Sequence, residues 1–244
     1  MEELIDKYSY ASKTYIDQEI MNEEVIGIIV SGSLKYGKID KNSDIDIHII
    51  LDENCHYRER GNLWIKGIEI EYFKNPPAQI LAYFEKEKKS PHTAHMLAFG
   101  EIVYNRSLIV DELVSIAKSI IEEKPPKLKD FEVEFEKYFL DDFYKDFEDA
   151  VANRDIIGSK IIRAKFINRS LDIFFNIHQI RREKDKSISN QLVLIAPDFR
   201  QHIVDALSED WQKSASLERL RLEVEKLLGG RRTPEWKLRS KLDL

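Results

Sequence analysis

Two adjacent prolines, Pro125 and Pro126, divide this chain into halves that cannot share one fold class. Proline fixes φ and lacks an amide N–H, so the helical run "LIVDELVSIAKSIIEEK" at 108–124 must stop there. Before that point, short β-branched runs alternate with amphipathic stretches. "VIGIIV" (25–30), "DIDIHIIL" (44–51), "NLWIKGIEIEYF" (62–73) and "EIVYN" (101–105) read as strands, the third as a hairpin turning at Lys66-Gly67. Leu4, Ile5, Tyr8, Ala11, Tyr15, Ile16 and Ile20 repeat at helical spacing over 2–21. "PPAQILAYFEKEKK" and "TAHMLAFG" predict two further helices. After the prolines there is no strand candidate, and no glycine occurs from 128 to 157. Long helices are expected over 130–152 and 155–183, and shorter ones near 188–196, 198–207 and 215–228. The expected fold class is therefore α+β: a mixed sheet with flanking helices over 1–125, followed by an all-α helical bundle over 128–244.

Composition narrows the classes of activity. A formal net charge of −6 disfavours a chain whose whole surface grips nucleic acid, although a local basic patch is compatible with it. The single cysteine, Cys55, permits no intrachain disulfide. The start, "MEELIDKYSYASKTYIDQEI", is acidic and amphipathic rather than a basic segment followed by an apolar block. No apolar run approaches the roughly 18 residues of a membrane span. A cytoplasmic location is expected.

The chemistry concentrates in "VSGSLKYGKIDKNSDIDIHII", residues 30–50. A strand that ends in Gly32-Ser33 presents backbone N–H groups and a hydroxyl, which can hold phosphate oxygens. Glycine at 32 lets the backbone approach closely. Asp44 and Asp46 then lie one residue apart in an apolar strand. Alternate strand residues share a face, so both carboxylates point the same way, about 6.6 Å apart along the strand. Ile45 and Ile47 take the opposite face, toward the core. Two like charges so placed repel unless a cation lies between them. Mg²⁺ suits the position, because it takes oxygen ligands from one or two carboxylates together with substrate phosphates. A merely solvated acidic edge is the plainer reading of the pair alone.

The order strand, Gly-Ser, a gap of nine residues, then Ser-Asp-Ile-Asp-Ile resembles the signature of the DNA polymerase β-like nucleotidyltransferase superfamily. The matching residues are Gly32, Ser33, Ser43, Asp44 and Asp46, with Lys35 and Gly37 near the places of the family's basic residue and glycine. The resemblance covers the first 125 residues as a catalytic domain. It implies a third carboxylate on a neighbouring strand, for which "GIEIEYFKNP" offers Glu69 and Glu71. Both fall on one face by parity, so alternation does not choose; the "EYF" context and the proline exit favour Glu71. The resemblance further implies two Mg²⁺ ions and an NTP substrate, ATP first. Asp44, Asp46 and Glu71 would be the metal ligands, and Gly32, Ser33, Lys35 and Ser43 would bind the nucleotide.

The implied reaction is transfer of a nucleoside monophosphate to an acceptor hydroxyl with release of pyrophosphate. A helical second half suits the branch that modifies small molecules such as antibiotics. The alternatives are a toxin-like enzyme acting on tRNA or protein, and a nucleotide-binding module without catalysis. In the helical half, Phe131, Phe135, Tyr138, Phe139, Phe143 and Phe147 alternate with acidic residues. That pattern reads as a core stripe with a solvated face, or as an acidic wall for a cationic acceptor. Arg163, Lys165 and Arg169 are cations that could meet a triphosphate, or surface residues that are simply ion-paired. His48 could border the site. The basic tail "RRTPEWKLRSKLDL" either packs on the body or touches phosphate.

Overall fold

The computed structural model describes residues 2–32, 43–88 and 90–239. The chain forms two compact units, 1–123 and 124–244.

The first unit is built on five strands, β1 (Val25–Ser31), β2 (Ile45–Leu51), β3 (Glu59–Ile65), β4 (Ile68–Asn75) and β5 (Glu101–Asn105). Their order in the sheet is β3-β4-β2-β1-β5. The β2–β4 pair is parallel and the other three pairs are antiparallel, so the sheet is mixed. The β3–β4 hairpin turns at Lys66 (φ 49°) and Gly67 (φ 80°). Two consecutive positive φ angles suit the twist of a tight hairpin.

Both faces of the sheet are covered. One buries Ile45, Ile47, Ile49, Ile68 and Ile70 against helix α1 (Glu2–Glu19), which contributes Tyr8, Ala11 and Tyr15 at helical spacing. The other buries Ile26, Ile29 and Ile50 against helices α2 (Pro77–Lys86), α3 (His92–Phe99) and α4 (Leu108–Glu122). Alternate residues of β2 thus serve two different cores, which is why the strand reads as a nearly continuous apolar run. At Gly27 a bulge shifts the register, and an added Cβ would lie 2.5 Å from Val110 of α4. The missing side chain is what lets that helix seat against the sheet.

The second unit contains helices α5 (Asp130–Ala152), α6 (Ile156–His178), α7 (Ile188–Ile195), α8 (Pro197–Ser208) and α9 (Ala215–Leu227). One core joins them, with Phe147, Phe166, Phe175, Leu217, Leu220 and Val224 almost wholly buried. Asp155 caps α6 by accepting from the Gly158 amide at 2.9 Å. The α6 helix ends at His178 rather than near 183, because Gln179 adopts the left-handed conformation (φ 54°). The side chain of Gln179 then donates to the Pro125 carbonyl at 2.9 Å.

Candidate active site

Gly32 directly follows β1 and lies against Asp46, the ladder partner of Ser31. Its φ is +91°, a region that favours glycine. A Cβ at this position would stand 3.0 Å from Asp46 Oδ2. Glycine therefore meets two needs at once, a left-handed turn and room for a carboxylate.

Asp46 pairs in turn with Glu71 across the parallel β2–β4 ladder. Asp44 precedes β2, and one oxygen from each of Asp44, Asp46 and Glu71 lies within 4.8 Å of the others. Asp44 is exposed, while Asp46 and Glu71 are half-buried. Three carboxylates this close repel one another, and hard oxygen donors from three points suit a divalent cation such as Mg²⁺. The donor set and the Gly32 cradle both fit such an ion.

Glu69 lies on the same face of β4 but is held differently. Its Oε1 accepts from Asn62 Nδ2 at 2.5 Å, whereas Glu71 Oε1 accepts from Arg60 Nε (3.1 Å) and Nη2 (2.5 Å). The structure thus brings Glu71, and not Glu69, together with the two aspartates. Arg60 and Asn62 were not among the residues expected from sequence. The signal was available: a two-residue turn at 66–67 fixes the hairpin register, and that register sets Asn62 opposite Glu71 and Trp64 opposite Glu69.

Ser43 enters the site through its backbone, since the buried Tyr8 hydroxyl donates to the Ser43 carbonyl and ties the segment before Asp44 to α1. Ser33, Lys35 and Gly37 lie outside the described residues. His48, two residues beyond Asp46, is buried against Met96 Sδ (3.1 Å) and stacked on Phe73 with centroids 4.8 Å apart. Burial lowers its pKa to about 4, so it is neutral near pH 7 and offers no positive charge to a phosphate.

Two of the cations named on α6, Arg163 and Arg169, are otherwise engaged. Arg163 is 5% exposed and donates to the carbonyls of Ala206, Glu209, Asp210 and Lys213. Arg169 forks onto Glu136, at 2.5 and 2.8 Å. The acidic residues of α5 are also partly neutralised inside the unit. Glu134 pairs with Lys137 (2.7 Å), and Asp141 accepts from both Arg231 and Arg232. The basic tail packs on α5, where Trp236 stacks on Tyr138 and donates to Glu134.

A strand, a left-handed glycine, two aspartates around the start of the next strand and a glutamate beside them on a third define the class of protein. Residues 15–108 match the family model of the polymerase beta nucleotidyltransferase domain, so the resemblance to the DNA polymerase β-like superfamily holds over the sheet. The chain is also similar to a nucleotidyltransferase-like protein from Exiguobacterium sibiricum 255-15, known from its crystal structure. That match has 12% identity and a TM-score of 0.52, and covers 90% of this chain and 74% of the other. At that identity the likeness concerns the fold. No curated protein matches the chain.

Proposed function

We propose that this chain is a Mg²⁺-dependent nucleotidyltransferase that moves a nucleoside monophosphate from an NTP, ATP first, to a hydroxyl of a small-molecule acceptor such as an antibiotic. One observation carries this reading: one oxygen each of Asp44, Asp46 and Glu71 lies within 4.8 Å of the others, beside a glycine that leaves room for Asp46. Asp44 and Asp46 hold the cation, and Glu71 completes its ligands. When bound, Mg²⁺ supplies positive charge against the phosphoryl oxygens. The acceptor oxygen attacks the α-phosphorus, the bond to the bridging oxygen of the β-phosphate breaks, and pyrophosphate leaves with that electron pair. Glu71 accepts the proton of the acceptor hydroxyl. Gly32 and the segment after it hold the leaving phosphates. The chain's task is placement and charge complementarity, which suffices for phosphoryl chemistry of this kind.

The acceptor lies along the β3 side of Glu71. Arg60, Asn62 and Trp64 occupy alternate positions of β3 and share the Glu71 face, and Trp64 is 63% exposed. An open indole beside an amide and a guanidinium suits a ring that carries hydroxyl groups.

The test is pyrophosphate release with Mg²⁺, each of the four common NTPs, and a panel of aminoglycosides, lincosamides and total tRNA. Release that depends on one acceptor and vanishes in Asp44→Asn/Asp46→Asn supports the reading. Release with tRNA alone moves the acceptor to a macromolecule. Release that survives in the double variant overturns the assignment of the carboxylates.

A further inference from the structure

Ser31, the last residue of β1, is 5% exposed, and its hydroxyl oxygen is buried without a hydrogen-bond partner among the described residues. Buried serines elsewhere in the chain find an acceptor. Ser159 donates to the Ile156 carbonyl at 3.0 Å, and Ser170 donates to the Phe166 carbonyl at 2.9 Å. A buried hydroxyl left unmatched carries its desolvation penalty with nothing to offset it. Alanine would fill the same strand position without that penalty. A serine that serves packing alone therefore has no physical advantage here, whereas a serine that meets a partner at some stage of function has one.

The sheet register supplies a second, independent observation. Ser31 is the ladder partner of Asp46, as Ile29 is of His48. Ile28 and Val30 join the core against α1, whereas Ile29 joins the core on the opposite face, so Ser31 takes that opposite face as well. Asp46 shares it, because His48, two residues on, meets Met96 of α3 there. On its other side Asp46 is paired with Glu71. Asp46 is thus flanked by a carboxylate on β4 and by the unmatched hydroxyl on β1. Directly opposed residues of an antiparallel pair hold their Cβ atoms about 4.5–5.5 Å apart, a spacing a serine hydroxyl and an aspartate oxygen can bridge. A Cβ at Gly32 would stand 3.0 Å from Asp46 Oδ2, so the carboxylate already leans toward the β1 side.

We propose that Ser31 positions Asp46 for the cation: when the ion is held, the Ser31 hydroxyl donates to the Asp46 carboxylate and fixes its orientation. The inference rests on the reading of Asp44, Asp46 and Glu71 as the cation site, and it makes Ser31 a positioning residue rather than a ligand. Without a cation, the orientation of Asp46 is governed by repulsion from the two neighbouring carboxylates. A cation removes that repulsion, and a carboxylate that holds a metal needs a hydrogen-bond donor behind it to keep its oxygen aimed. Ser31 is the donor that the register places there, and the same bond gives its hydroxyl the partner it lacks.

The experiment titrates Mn²⁺ into the full chain and follows it by electron paramagnetic resonance, beside thermal midpoints recorded in EDTA. The wild type should bind Mn²⁺ saturably, and Asp46→Asn should lose that binding. Ser31→Ala should bind about tenfold more weakly or worse, the scale of losing a hydrogen bond behind a metal ligand. Its midpoint in EDTA should equal or exceed that of the wild type, because the unmatched hydroxyl is gone. A residue that served only the fold would behave in the opposite way. A lower midpoint of Ser31→Ala in EDTA, with or without a change in affinity, therefore overturns the proposal, as does an affinity equal to that of the wild type. The two readings fail separately: a wild type that binds no Mn²⁺, or an Asp46→Asn variant that binds it as well as the wild type, overturns the cation site itself and the role of Ser31 with it.

Discussion

Glu69 and Glu71 are one pleat repeat apart, carry the same charge and lie on the same face of β4. Alternation in the sequence cannot separate them, because it reports only which face a residue takes. Register separates them, and register belongs to the pairing of distant strands: Asp46 meets Glu71, while Glu69 is turned to Asn62. The proposed roles make the two residues sharply different on mutation. Glu71→Gln should lose at least about 100-fold in turnover, the scale of a missing general base. Glu69→Gln should keep most of it, and equal losses in pyrophosphate release would refute the distinction. Gly32 gives a second test at this scale. Alanine there must hold a left-handed φ, at about 1 to 3 kcal/mol, and must displace Asp46 Oδ2 from 3.0 Å. A lower thermal midpoint together with weaker Mg²⁺-dependent NTP binding is the expected result. Gly32 and the Asp-x-Asp pair could be singled out because their signals are local in the chain. Arg60 and Asn62 were hidden because their place in the site is set across the hairpin.

The same division governs whole elements. Every strand and helix named in the sequence reading is present, because β-branched runs and helical spacing are local signals. The α6 terminus was less legible, since Gln179 takes a conformation for which glycine or asparagine is the usual marker. Arg163 shows how context reverses a residue type. On sequence it is a cation on a long helix; in the fold it is buried and ties the α8–α9 connection to α6 through four carbonyls, with Glu209 Oε2 3.5 Å away. Burial lowers its pKa, and the Glu209 carboxylate opposes that shift. Arg163→Met would leave Glu209 and the carbonyls without their partner. It should cost about 3 to 5 kcal/mol, the scale of breaking a buried ion pair. Arg163→Lys should recover only part, because an ammonium cannot span the same set of carbonyls. Urea midpoints of the three proteins measure this, and a midpoint for Arg163→Met within error of wild type would show that the carbonyl tether carries no weight.

At the scale of the molecule, each unit has hydrophobic clusters of its own. Two sandwich the sheet within residues 1–123, and the third joins the helices of residues 124–244. The change to an all-helical second half was readable because every strand signal is lost after the prolines. Which carboxylate or arginine serves a ligand was not, because that depends on neighbours from elsewhere in the chain. Separate cores in the two units predict a separable response. Mg²⁺ with ATP at 100 times its Kd should stabilise the unit it binds by about 2.7 kcal/mol, through mass action. Hydrogen exchange followed by mass spectrometry should therefore show protection in β1, β2 and β4 peptides, abolished by EDTA and by Asp46→Asn. Phe166 is fully buried in the helical core, and Phe166→Ala should cost about 3 to 5 kcal/mol. It should speed exchange in the helical unit, leaving the Mg²⁺- and ATP-dependent protection of the sheet in place. Loss of that protection in Phe166→Ala would mean that the nucleotide site depends on the helical core, and that the carboxylates and glycine of the sheet do not bind ATP alone.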